Sequence, residues 1–389
     1  MIIMLKSFKN PEKPLTLGIL GGGQLAKMLA IAAYRMGLNI AVIENGTDSP
    51  AGDMTKLDFS KGWFDDEELM NFAEASDIVT LENEFINPDI LDKVNDKKLV
   101  LPSPSTMRLV QDKFIQKQTF SNAGIPVPHF KAIESVDDML KFGDENGYPF
   151  MIKTRTLGYD GYGNFTVNKP EDCQTAWDKF NSGERKRPLM AEKFVNFKKE
   201  LAVMIVRSQD DMKSYPCVET IQKNHICHEV IAPAEIDESF RQKARDIASR
   251  CVEAINGIGV FGVEMFLTED NEILVNEIAP RPHNTGHYTI EACYTSQYEN
   301  CIRAVLGLPL GSTEMITPAA CMINLLGERT GSGVPTDVTK TLSVPGAFLH
   351  LYNKKQCRIG RKMGHITALG NTQSEAYNTA KKAADEFVW

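Results

Sequence analysis

The sequence predicts an α/β protein with a Rossmann-like N-terminal unit, a small α+β lobe, and a strand-rich remainder. Three observations carry this. Apolar strand signals alternate with helical ones from Leu15, the pattern changes after the double proline at Ile125–Pro128, and long alternating strands then run into a hairpin ending near Ala279. At 389 residues the chain exceeds one ordinary core, so several packed units are expected.

The first unit reads as LTLGIL, QLAKMLAIAAYRMG, NIAVIE, DEELMNFAEAS and DIVTLE, the order of βαβ units around a parallel sheet, and it closes near Asp112. A single polar-rich helix, STMRLVQDKFIQKQTFSNAG, is expected to lead into the prolines. The lobe, about 125–195, comprises YPFMIKTRT, the glycine-rich GYDGYGN, FTV, a helix through Glu171 to Phe180, and PLMAEKFV. Strands at ELAVMIVRS and from SYPCVETI to HEVIAPA follow, then a helix from about Glu238 to Asn256, completing a unit spanning 113–305. Residues 306–389, with short strands and the helix SEAYNTAKKAADEFV, read as a third small domain, and 1–14 as a loosely ordered extension.

Composition excludes several classes. The 42% hydrophobic content without a spanning run excludes a membrane helix, and the opening segment lacks a small-residue cleavage site. A soluble, cytoplasmic protein is expected. A net charge of -8 argues against a nucleic-acid footprint. Eight scattered cysteines, with no Cys-x-x-Cys pair, read as buried thiols, and adjacent Cys227 and His228 point to opposite strand faces, which disfavours a zinc site.

Five constellations carry chemistry. Phe261, Val263, Met265 and Leu267 alternate with the face bearing Glu264; a four-residue loop at 269–272 would then set Glu264 opposite Glu277. Opposed like charges destabilise a sheet unless a cation lies between them, and magnesium accepts these carboxylates with the Asn276 amide oxygen; the bland alternative is a solvated hairpin. Lys153 ends an apolar strand beside the glycine loop, suited to phosphate oxygens, although a strand-end lysine commonly just reaches water. The turn at Gly21–Ala26 fits either a dinucleotide pyrophosphate or a single phosphate, and Glu44 stands where a ribose-binding acid would, so a nicotinamide-dependent oxidoreductase stays open. Finally, Arg281, His283, Asn284 and His287 trail the metal strand, and Lys354, Lys355, Arg358, Arg361 and Lys362 form a basic turn: a solvated face, or a clamp for a phosphate monoester.

Together GILGGGQLAKM, SPA at 49–51, QDKFIQKQ, KTRTLGYDGYGNF, AEKFV, ELAVMIVRS, FGVEMF, NEIAPRPHNTGHYTI and GRKMGH resemble, in order over about 15–367, the ATP-grasp ligases, and within them the N5-carboxyaminoimidazole ribonucleotide synthetases of purine biosynthesis. The resemblance implies a three-domain ATP-grasp fold. It implies ATP contacts at Arg108, Lys153, Gly158, Tyr159, Asp160, Gly161, Tyr162, Gly163, Asn164, Glu192, Lys193, Phe194, Val195, Glu200, Gln222, Asn276 and Glu277, with Mg2+ on Glu264, Glu277 and Asn276. For aminoimidazole ribonucleotide it implies Gly23, Gln24, Leu25, Glu82, Lys355, Arg361 and Lys362. Asp160, Arg281, His283 and Asn284 would line the carboxylation centre, with bicarbonate as co-substrate. A homodimer is implied, and, with no appended mutase domain in the sequence, a separate mutase is expected to take the product.

Three positions depart from the pattern. Tyr162 stands where the family carries a basic residue. Gln222 replaces a histidine, with His225 nearby, and one extra residue before Arg361 leaves Lys354 or Lys355 as the substrate lysine, Lys355 by counting back from GRK. A formate-dependent glycinamide ribonucleotide transformylase is the nearest rival within the ligases.

Overall fold

The computed structural model describes residues 13–158, 163–181, 187–223 and 226–389. Strands β1 (Thr16–Leu20), β2 (Asn39–Ile43), β3 (Leu57–Phe59), β4 (Ile78–Leu81) and β5 (Val100–Leu101) form a parallel sheet in the order β3-β2-β1-β4-β5. Strands β1 and β4 are buried throughout, and β2 after Asn39, because helices cover both faces: α1 (Gln24–Arg35), α2 (Asp66–Ala75) and α3 (Pro88–Asn95). The Rossmann-like expectation holds.

The single helix expected over 105–124 is two. Helix α4 (Pro104–Val110) and helix α5 (Lys113–Asn122) are separated at Gln111 and Asp112. Asp112 adopts extended backbone and its carboxylate accepts the N–H groups of Phe114 and Ile115 while gripping Arg155 at 2.6–3.0 Å. An aspartate inside a helix competes for backbone donors; here it starts a new one.

The lobe follows as β6 (Phe130–Ile133), α6 (Val136–Asn146), β7 (Phe150–Thr154), β8 (Asn164–Val167), α7 (Asp172–Asn181) and β9 (Leu189–Lys193). Its antiparallel sheet runs β6-β9-β7-β8 over a core of its own, including Phe142, Phe150 and Ile152.

Strands β10 (Phe197–Arg207), β11 (Met212–Ser214), β12 (Val218–Lys223) and β13 (Ile226–Ala232) precede α8 (Glu238–Ala254), then β14 (Gly259–Thr268) and β15 (Ile273–Ala279). After α9 (Thr289–Ala292) and α10 (Gln297–Val305) come β16 (Ala319–Leu326), β17 (Gly331–Ser332), α11 (Thr339–Leu342), β18 (Ala347–Leu351), β19 (Gln356–Cys357), β20 (Lys362–Gly370) and α12 (Gln373–Asp385). The main path is β15-β14-β10-β12-β13-β16-β20-β18, so the C-terminal strands continue the central sheet. Helices α1 and α10 share one core with the centre of that sheet, and α12 covers β16 and β20. All eight cysteines are buried and outside any disulfide, and among the described residues no helix is long and apolar enough to cross a membrane.

Candidate active site

Glu264 does face Glu277, but by a route the sequence concealed. Leu267 pairs with Ile273 and Met265 with Val275, and the register then shifts so that Glu264 meets Glu277. The turn is one residue shorter than expected: Thr268 N–H donates to Glu272 O at 2.9 Å, and Asn271 takes φ +63°. Asn276 is the extra residue of a β-bulge, which restores the pairing of the two acids. In a regular strand Asn276 and Glu277 would point to opposite faces. At the bulge both are half-buried.

The charges around this hairpin come from three elements. Lys113, the first residue of α5, forms an ion pair with Glu277. Lys153 on β7 donates to Asn276 Oδ1 at 3.2 Å and meets Glu192 Oε1 at 2.8 Å. Lys117, one turn after Lys113, lies 2.7 Å from Glu192 Oε2. Loss of hydration raises the Glu264 carboxyl, and the charges of Glu277 and Glu200 raise it further. Glu277 is driven the other way: the Lys113 ammonium overrides burial and holds it low. Burial pushes Lys117 down to about 8 against the pull of Glu192.

A hard cation fits this donor set. Glu264, Asn276 and Glu200 line a small cleft, and a divalent ion there would offset both the burial and the Glu277 charge that raise the Glu264 carboxyl. Among the described residues no group of three His, Cys, Asp or Glu side chains can hold a metal alone. Two carboxylates, an amide oxygen and substrate phosphates are the kind of set magnesium uses.

The glycine-loop neck is held at Gly163. Thr154 N–H donates to Gly163 O at 2.8 Å, and a Cβ on Gly163, at φ +96°, would stand 2.4 Å from Thr154 Oγ1 and 3.3 Å from Gly158 Cα. Asn164 pairs with Lys153 across β7 and β8. The expected contacts at Tyr159, Asp160, Gly161 and Tyr162, and the alternative at His225, fall outside the described residues.

Beyond the hairpin, Arg281 binds Glu84 at 2.6 Å and its charge acts on both Glu82 and Glu277. His283 has Nδ1 at 2.9 Å from Thr285 Oγ1 and Nε2 at 3.7 Å from Glu264. Burial, with Arg281 and Lys362 nearby, lowers it to about 3, so it is neutral. Asn284 exchanges two amide hydrogen bonds with Asn324 on β16, at 2.6 and 2.9 Å. That places Asn284 as a strut between the 281–287 segment and the C-terminal strands.

At the glycine turn, Gly23 N–H donates to Glu82 Oε1 at 3.1 Å, Ala26 N–H to Glu82 Oε2 at 3.4 Å, and Gly22 N–H to Glu44 Oε2 at 3.0 Å. The protein's own acids take the donors a dinucleotide pyrophosphate would need, and Glu44 is turned inward onto them. This argues against the nicotinamide reading. Gln24 and Leu25 open α1, but Leu25 is a core side chain, leaving its backbone as the part able to meet a ligand.

The other expected contacts are more dispersed. Glu192 is buried between Lys117 and Lys153, while Lys193 and Phe194 are exposed and Val195 half-buried. Gln222 lies at a register shift opposite Cys227. Arg108 is exposed, its guanidinium held by Asp89 and Asp92 of α3 at 2.8 and 2.5 Å. Lys355 pairs with Asp48, and Lys354 donates to Lys362 O at 2.8 Å. Arg361 donates to Gln356 O at 2.6 Å, and Lys362 acts electrostatically on Glu264 and His283.

Residues 15–111, 118–298 and 320–379 match, in turn, the ribonucleotide synthetase preATP-grasp domain, the ATP-grasp domain and the phosphoribosylaminoimidazole carboxylase C-terminal domain. The N5-carboxyaminoimidazole ribonucleotide synthase of Bacillus subtilis is 37% identical over 360 residues, 92% of each chain. The chain belongs to this ATP-grasp family. The carboxyaminoimidazole ribonucleotide synthase of Aspergillus clavatus, solved with ADP and 5-aminoimidazole ribonucleotide, has 37% identity and a TM-score of 0.87 over 96% of this chain and 98% of that one; it has also been solved with ATP. The phosphoribosylaminoimidazole carboxylase of Schizosaccharomyces pombe is 43% identical over 368 residues, and the chain spans 65% of its length.

Sequence reasoning missed Lys113, Lys117, Glu84 and Asn324 in this ATP-grasp site. The two lysines carried a signal: four residues apart, they share one helix face.

Proposed function

We propose that the protein carboxylates 5-aminoimidazole ribonucleotide with bicarbonate and ATP, giving N5-carboxyaminoimidazole ribonucleotide, ADP and phosphate. The observation that carries this is the pairing of Glu264 with Glu277 at a bulge that turns Asn276 the same way, with Lys113 and Lys153 beside it. Family membership supplies the ribonucleotide and the carboxylation.

Bicarbonate is a poor electrophile because hydroxide would be its leaving group. One of its oxygens attacks the γ-phosphorus, the bond to the β,γ-bridging oxygen breaks, and ADP departs from carboxyphosphate. Carbon dioxide then separates from phosphate, the exocyclic amine forms the new C–N bond, and the amine proton passes to phosphate. Bound magnesium supplies charge neutralisation on the triphosphate, held by Glu264, Glu277 and Asn276. Lys153 and Lys113 hold phosphate oxygens, and the loop flanked by Gly158 and Gly163 excludes water from an intermediate that hydrolyses readily. His283, being neutral, contributes hydrogen bonding, so Arg281 carries the charge opposite the carboxylate. Glu82 at the α1 turn, with Arg361, Lys362 and Lys355, serves the ribonucleotide.

The same reading makes the enzyme a cytoplasmic homodimer that passes its product to a mutase; sedimentation velocity checks the dimer. An ADP-release assay tests the activity. Release that needs both aminoimidazole ribonucleotide and bicarbonate supports the proposal, whereas formate replacing bicarbonate would make it a transformylase.

A further inference from the structure

The Asn276 bulge lies on the edge strand β15, and one buried side chain serves two of its carbonyls. Lys117 Nζ donates to Asn276 O at 2.9 Å and Val275 O at 3.3 Å, and pairs with Glu192 at 2.7 Å. Two hydrogen bonds and one ion pair thus converge on the ammonium. Glu192 also grips Lys153, and Lys153 returns to Asn276 through its side-chain oxygen. The four residues close a ring that joins α5, the lobe strands β7 and β9, and the β14–β15 hairpin.

We propose that Lys117 is a positioning residue that holds the bulge in the shape that turns Asn276 and Glu277 together toward the metal-triphosphate site. Only 2% of its side chain is exposed, so it reaches substrate solely through the residues it holds. A buried lysine is costly, and an apolar residue of like volume often serves stability as well or better. What the ammonium adds is geometry: a charged donor on the carbonyls of both Val275 and Asn276, where the register shifts, makes the bulged register the favoured one. The ring extends this to the lobe. Lys153 and Asn276 are fixed relative to each other through Glu192 and Lys117, so the phosphate-binding cation and the metal ligand move as one unit.

The inference rests on the ATP and magnesium reading, and calorimetry separates the two. Binding of ADP to the full chain is titrated with and without Mg2+, for the wild type and for Lys117→Met. The expected result is a Mg2+ requirement for ADP binding raised about tenfold or more, the loss of one charge-assisted hydrogen bond, with Mg2+-free ADP affinity changed by less than about threefold. A merely structural lysine would weaken both forms equally or leave both unchanged. Either result overturns the proposal. Wild-type ADP binding indifferent to Mg2+ would instead overturn the underlying reading. Should the Met variant fail to fold, Lys117→Gln, polar but shorter and without the charge, is judged by the same criterion.

Discussion

Glu277 carries two tasks at the residue scale, facing Glu264 across the hairpin and receiving Lys113. Replacing it with Ala leaves β14 and β15 paired, since the ladder is main chain, but removes half the carboxylate pair. We expect wild-type circular dichroism and a fall in ATP turnover of about 100-fold or more, the scale on which electrostatic groups at a reacting centre act. Near-normal phosphate release from Glu277→Ala would refute the metal assignment. Gly163 is constrained differently, by φ +96° and by the 2.4 Å approach of any Cβ to Thr154 Oγ1. Gly163→Ala is therefore expected to cost about 1–3 kcal/mol locally, read as a raised KM for ATP with the melting temperature little changed.

At the scale of elements, the start of α5 is set by one side chain. Asp112 caps the helix and holds Arg155, so Asp112→Ala is expected to destabilise the protein by about 1–3 kcal/mol in urea unfolding, and to displace Lys113 and Lys117 with the helix. The same residue shows why part of the structure escaped the sequence. The β1–β5 strands and their helices were legible because apolar period and turn residues are local signals. The break at Gln111 and Asp112 was not, because a polar-rich run reads as helix until the Arg155 partner, 43 residues on, is known. Glu264 and Glu277 were legible as a pair from alternation and an expected four-residue loop. The bulge that unites them was not, since a shorter turn and an extra residue cancel in the count. Lys117 was hidden for a related reason: its partners, carbonyls of β15 and Glu192 of β9, are all long-range.

For the whole molecule, the central unit and the C-terminal strands are locked by buried polar groups as well as by apolar area. His287 and His365 are completely buried, their rings 4.8 Å apart, with Tyr298 and Tyr352 each 2.9 Å from an Nδ1. Burial first, and then neighbouring histidines, holds both well below the ordinary imidazole range. The unfolded chain binds protons at these sites below a pH of about 6.5 while the native state does not, so each histidine withdraws about 1.4 kcal/mol of stability at pH 5.5 and almost none above pH 7.5. Glu264, raised above its unfolded value, titrates with the opposite sign, so the histidine contribution is read as a difference. His365→Gln should lose about 1.4 kcal/mol less than the wild type between pH 7.5 and 5.5 in urea unfolding; equal losses would contradict the neutral assignment.

The central claim is that this site activates bicarbonate by phosphoryl transfer, and oxygen labelling tests it most directly. With 18O-labelled bicarbonate, ATP and aminoimidazole ribonucleotide, mass spectrometry of the released phosphate should find one bicarbonate oxygen in each molecule. Unlabelled phosphate formed alongside carboxylated product would contradict the account.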